Sequence, residues 1–107
     1  MSNQELEYKT LKVLEQHPQM TQRQLSKELG VSLGKAHYVL KALVEVGWIK
    51  LENFQRSDNK LGYAYLLTPA GVLEKAKITR QFLLRKQQEF EQLKQEIAQL
   101  QTEVDEF

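Results

Sequence analysis

Residues 21–50 read TQRQLSKELGVSLGKAHYVLKALVEVGWIK, and two helices stand close together in them. Thr21 is placed to cap the first, with Gln24 three residues on to complete a reciprocal capping pair. Leu25 and Leu29 give that helix one apolar face, and Gly30 stops it in a left-handed conformation. Ser32 caps the next helix. Ala36, Val39, Leu40, Leu43 and Val46 then recur at steps of three and four, the spacing of one helical face, and Gly47 closes the run. Only Gly30, Val31 and Ser32 separate the two helices. A turn that short, glycine first and an apolar residue second, is a helix-turn-helix pattern. Val31 is expected to turn back into the core and set the angle between the helices.

Working outward, Ser2 and Glu5 form a capping box that opens an earlier helix. Leu6, Leu11, Val13 and Leu14 supply its apolar face, and His17-Pro18 ends it. On the other side, WIKLENFQ (48–55) alternates as a strand, with Trp48/Lys50 on one face and Ile49/Leu51 on the other. RSDNKLG (56–62) is polar, with Asp58-Asn59 at its centre. YAYLLT (63–68) is rich in strand-favouring residues. Two strands around a polar loop make a hairpin, and a helix-turn-helix followed by a hairpin is a winged-helix arrangement. The fold expected is mainly α with a small β-hairpin wing: a winged helix-turn-helix domain over residues 1–68, then a long C-terminal coiled-coil helix over 69–107.

That last helix starts at Thr68-Pro69, with proline at the first helical position. No Gly or Pro follows Gly71, so it runs through Val104, about 35 residues or roughly 50 Å at 1.5 Å per residue. A domain of some seventy residues does not cover such a helix. Phe90, Leu93, Ile97, Leu100, Val104 and Phe107 follow alternating steps of three and four. Phe90, Ile97 and Val104 take one core position of a heptad, and Leu93, Leu100 and Phe107 the other. β-Branched residues at the first and leucine at the second favour parallel pairs. Phe90, Leu93, Ile97, Leu100 and Val104 are therefore expected to dimerise the chain, as a homodimer or a higher oligomer. The same stripe packed back on its own domain is the alternative.

Net charge is +1 over 107 residues, and its distribution says more. Residues 1–68 carry nine Lys/Arg against seven Asp/Glu, residues 69–86 five against one, and residues 87–107 one against six. A basic body with an acidic tail suggests two jobs on two segments. There is no cysteine, which excludes disulfides and thiolate metal sites and fits a reducing compartment. The opening MSNQELEYKT forms no apolar signal segment, and no run of about 18 apolar residues occurs, so a spanning segment is not expected. Two lone histidines, His17 and His37, with no HExxH, phosphate loop or nucleophile elbow, give catalysis no support. No cofactor and no metal are expected.

The second helix of the pair carries the candidate site. At about 100° per residue, Gly34, Tyr38, Lys41 and Glu45 fall on one line, flanked by Lys35 and His37, with Ala36, Leu40 and Leu43 opposite. The helix start, capped by Ser32, presents free N–H groups and partial positive charge, which suit a phosphate. Gly34 lets a backbone come close; close packing between helices would also explain it. Lys35 and Lys41 can contact phosphate or guanine, and His37 and Tyr38 can reach base edges. A solvated face would carry the same lysines, and Glu45 would repel phosphate. Thr21, Arg23 and Lys27 on the preceding helix are candidate phosphate contacts. On the wing, Arg56, Asn59 and Lys60 are candidates, with a basic side chain entering the minor groove. Asp58 is placed to hold one of the two cations.

The segments TQRQLSKELGVSLGKAHYVLKALVEVGWIK, NKLGYAYLLTPAG and FLLRKQQEFEQLKQEI together resemble the MarR family of winged helix-turn-helix regulators. Within it they look most like the small group associated with bacterial exopolysaccharide loci. The resemblance spans roughly residues 5 to 100. It implies a bacterial, cytoplasmic and nucleoid-associated regulator that binds double-stranded DNA as a homodimer. It also implies that Ser32 to Lys41 reads the major groove. Typical wings carry Asp-x-Arg, whereas Asp58-Asn59-Lys60 stands here. Lysine lacks the planar fork of arginine, so Arg56 is a second candidate for the minor groove. Typical members are longer and frame a ligand pocket between terminal helices, so no small-molecule effector is predicted for this shorter chain. A rival reading is a protein-assembly module working through the acidic coiled coil. Salt separates the two, because phosphate contacts weaken steeply as it is added.

Overall fold

The computed structural model describes residues 3–55 and 61–107. The capping residue Ser2 and the wing-tip residues Arg56, Asp58, Asn59 and Lys60 lie outside the described residues. The elements run α1 (Asn3–Gln16), α2 (Gln22–Leu29), α3 (Leu33–Glu45), β1 (Ile49–Gln55), β2 (Leu61–Leu67) and α4 (Pro69–Asp105). This is the winged helix expected: a helical core, a two-stranded wing and a long last helix.

The local signals act as expected. The Thr21 hydroxyl accepts from the Gln24 N–H at 3.1 Å, and the Gln24 side chain accepts from the Thr21 N–H at 2.9 Å. Gly30 is left-handed at φ 69°, and its N–H donates to the carbonyl of Lys27. Ser32 caps α3 by accepting from the Lys35 N–H at 3.1 Å, and Thr68 caps α4 through the Gly71 N–H at 3.0 Å. β1 and β2 pair antiparallel, with Ile49 opposite Leu67 and Gln55 opposite Leu61.

One core unites these elements. Leu11, Leu14, Leu25, Leu43 and Ile49 are its most buried large side chains, and Leu6, Leu29, Val39, Leu40, Tyr65 and Ile78 complete it. Val13, Val31 and Trp48 pack against its edge. Thr10 is fully buried inside α1, and its hydroxyl donates to the Leu6 carbonyl at 2.7 Å, so no polar group is stranded there. The Tyr65 N–H donates to the Pro18 carbonyl at 2.9 Å, tying the α1–α2 connection to the wing.

Two residues depart from the sequence pattern. Val46 is 57% exposed: it caps the end of α3, with its N–H still donating to the Ala42 carbonyl, and borders the open depression between α1 and α3. Leu51 is 52% exposed although it shares a strand face with buried Ile49 and pairs with core Tyr65, because it borders the open depression between α3 and the wing.

α4 has 37 residues, and only its first turns lie on the domain. Gly71 and Ile78 are buried. A Cβ at Gly71 would overlap the backbone carbonyl of Trp48, so glycine is what lets α4 start against the bend that leads into β1. Phe82 meets Tyr8 with ring centroids 5.2 Å apart, Lys75 pairs with Glu15 at 2.8 Å, and Arg85 donates to Gln4 at 3.0 Å. From Leu83 onward every residue of α4 is exposed, and the molecule measures 72 × 25 × 24 Å. No helix of the described residues is long and apolar enough to cross a membrane.

Candidate nucleic-acid interface

α3 divides cleanly by side. Ala36, Val39, Leu40 and Leu43 are buried, while Ser32, Gly34, Lys35, His37, Tyr38 and Lys41 are all exposed. The exposed face therefore gathers the six residues singled out on this helix. Tyr38 stands out at 65% exposure, with the Lys35 ammonium 5.2 Å from its ring centroid. That contact holds a cation against an aromatic ring on the open surface.

Gly34 has nothing within 4 Å of the place a Cβ would occupy. Helix packing within this chain therefore does not require glycine there. The first intrahelical bond of α3 runs from the Ala36 N–H to the Ser32 carbonyl, and the Lys35 N–H is taken by the Ser32 hydroxyl. The N–H groups of Leu33 and Gly34 lie ahead of these bonds, where a helix start suits an anion.

A depression borders this ridge on each side. One lies between α1 and α3 and is lined by Asn3, Glu7, Lys35, Tyr38 and Trp48 among others. Glu7 there has its carboxyl pushed above the usual range, first by burial and then by the charge of Glu74. The other lies between α3 and the wing and is lined by His37, Lys41, Glu45, Gln22, Leu51 and Tyr65 among others. The Gln22 side chain donates to the Tyr65 hydroxyl at 3.3 Å, which fixes the start of α2 beside the wing.

Of the α2 residues, Arg23 and Lys27 are exposed, and the Thr21 hydroxyl is engaged as a cap. Lys27 lines a separate open depression with Gln16, His17 and Met20, away from the residues that border α3. Sequence reading missed Gln22 and Tyr65. The helical pattern ranks Gln22 as an ordinary first-turn residue, and only the return of β2 brings Tyr65 to it. Among the described residues no group of three or more His, Cys, Asp or Glu side chains is arranged to hold a metal ion.

Residues 4–50 match the family model described as winged helix-turn-helix DNA-binding. No curated protein matches the chain. Among solved structures, Staphylococcus aureus MarR in complex with salicylate and kanamycin is 26% identical, with a TM-score of 0.54 over 77% of this chain and 53% of that one. Streptococcus pneumoniae FabT in complex with DNA is 26% identical, with a TM-score of 0.56 over 79% of this chain and 58% of that one. A MarR/EmrR family regulator from Acinetobacter sp. ADP1 shares the fold at 23% identity and a TM-score of 0.56, over 94% of this chain and 75% of that one. The chain thus spans little more than half the length of the first two. It has a winged helix-turn-helix fold, and the solved proteins it is built like include regulators of the MarR family.

Proposed function

We propose that the chain is a sequence-specific, MarR-type transcriptional regulator that binds double-stranded DNA as a homodimer. The observation that carries this reading is the outer face of α3. It presents Lys35, His37, Tyr38 and Lys41 beside an uncrowded Gly34, on a helix whose other face is locked in the core. In this reading α3 enters the major groove start first. Gly34 lets the backbone approach a phosphate, and Lys35, His37, Tyr38 and Lys41 meet base edges and phosphates. Glu45, at the far end, marks where the contact stops. Arg23 and Lys27 serve flanking phosphates, and the wing supplies its minor-groove contact from Arg56 or Lys60, with Asn59 beside them. Two copies would read half-sites about one helical turn apart. The match in kind to the FabT–DNA complex supports the partner. The resemblance of NKLGYAYLLTPAG and the C-terminal tail to the exopolysaccharide-associated group supports exopolysaccharide-locus genes as targets.

The test is the affinity of Lys35→Ala and Lys41→Ala for a bound duplex. Where the lysine touches a base, its removal relaxes specificity at that one position by about 1–3 kcal/mol. Where it touches a phosphate, its removal weakens all sequences alike and lowers the salt slope by about one. Unchanged affinity in both variants would remove α3 from the interface.

A further inference from the structure

The outer part of α4 carries an apolar stripe that no other element of the described chain covers; Lys94 of the same helix lies beside it, with its ammonium 5.4 Å from the Phe90 ring centroid. Phe90, Leu93, Ile97, Leu100 and Val104 are each between 53% and 71% exposed. Extended back by the same steps, the stripe runs through Leu83, Thr79, Ala76 and Val72, all exposed as well. These four lie roughly 110° around the helix from Gly71, Ile78 and Phe82, at about 100° per residue. Those three are the residues whose apolar or backbone surface packs on the domain, beside the polar contacts of Lys75 and Arg85. The stripe thus lies to one side of the face that α4 lays on the domain.

With Phe90, Ile97 and Val104 at heptad position a, the g positions that flank the stripe are Glu89, Glu96 and Glu103, and the e positions are Gln87, Lys94 and Gln101. A parallel partner sets each g residue against the e residue five positions on in the other copy. Glu89 then faces Lys94 twice, by symmetry, and Glu96 faces Gln101. An antiparallel partner sets g against g, and every such pair would be glutamate on glutamate. Core composition points the same way, with β-branched Ile97 and Val104 at a and Leu93 and Leu100 at d. In the single chain Glu89 pairs with Lys86, at an inner d position, at 3.2 Å and Lys94 with Glu91 at 3.8 Å; both are exposed pairs of little strength, which the contact between copies would replace or share.

From this charge pattern, and resting on the dimeric reading above, we infer that α4 pairs with α4 of a second copy. The pair is a parallel, in-register, two-stranded coiled coil. The orientation has a consequence for DNA. A parallel arm has its two-fold along the helix axis and brings both winged domains to one end. An antiparallel arm over the same residues would hold the two copies of Ile78 about 60 Å apart at 1.5 Å per residue, well beyond one turn of DNA, about 34–36 Å.

The chain contains no cysteine, so single cysteines report on orientation without background. Leu93→Cys and Val104→Cys are made separately in the full chain and oxidised without DNA. The parallel arm predicts that each variant crosslinks to itself. No antiparallel register brings both positions to their own copies. An antiparallel arm that keeps Ile97 against Leu100 would instead crosslink only a mixture of the two variants, and that result would overturn the inference. No crosslink in either variant or the mixture would overturn it too. A second reading uses Lys94→Glu, which should weaken the dimer by about three- to tenfold at low salt, from the typical strength of exposed pairs. Glu89→Lys in the same chain should restore it, because only a parallel pair places 89 against 94. Because the crosslinks are formed without DNA, failure of the arm and failure of the DNA reading separate. A crosslinked dimer that binds no duplex would sink the regulator and leave the arm standing.

Discussion

Ile78 and Phe90 lie on one uninterrupted helix, twelve residues apart, and meet opposite fates. Ile78 is 3% exposed and part of the core; Phe90 is 60% exposed. Both are large, apolar and well suited to burial. The difference is what lies alongside: the apolar packing of the domain reaches along α4 as far as Phe82 and stops there. The inner part of α4 thus completes one domain, and the outer part leaves its apolar surface uncovered by this chain. Large exposed apolar surface of this kind marks an interaction site more often than an accident.

The largest effect that would test this contrast comes from paired truncations. Leu11→Ala removes a fully buried side chain and should cost about 2–5 kcal/mol at any protein concentration. Leu100→Ala should leave the melting temperature of dilute protein unchanged and lower it only where the dimer is populated. Thermal denaturation across a concentration series reads both. Equal losses in dilute solution would break the contrast. Next in size is Gly71→Ala, which forces a methyl into the Trp48 carbonyl and should cost about 1–3 kcal/mol in the same assay, since α4 must shift at its root.

Gly34→Ala carries the opposite sign. Open space surrounds that position, so alanine should stabilise α3 by up to about 1 kcal/mol. DNA affinity should nevertheless fall, because the added methyl stands between the backbone and a phosphate. A variant that melts later and still binds as tightly would remove Gly34 from the interface. The smallest effect belongs to Glu7. Burial and then Glu74 raise its carboxyl in the folded state. The folded protein therefore holds that proton more readily than the unfolded chain. Stability is lost as pH rises through the window just above the ordinary glutamate range. Glu7→Gln should gain about 0.5 kcal/mol or less at pH 7, allowing for the group's partial exposure, and nothing near pH 4. Melting curves at the two pH values check it.

Much of the fold and of the candidate site was legible because the deciding physics is local. Thr21 with Gln24, Ser32, and Thr68 before Pro69 satisfy orphan N–H groups within a few residues of themselves, and Gly30 relieves a backbone angle at a single position. The outer face of α3 follows from helical spacing alone. What the sequence could not show depends on distant chain. Nothing near Gly71 announces the Trp48 carbonyl. Val46 keeps the apolar rhythm one residue past the end of its helix, and Leu51 keeps the strand rhythm where an open depression separates the wing from α3. Tyr65 reaches Gln22 only after the hairpin has folded back. The stripe on outer α4 is plain in the sequence, but a single chain contains only half of any contact it makes.

The measurement that bears most directly on the central claim is fluorescence anisotropy of the intact protein against duplexes tiled across the DNA upstream of its own gene and the neighbouring operon. Competitor DNA and two salt concentrations complete the design. The account predicts one duplex bound well above the rest, with an affinity that falls steeply as salt rises. No binding at low salt, or equal weak binding to every duplex, would contradict a sequence-reading α3.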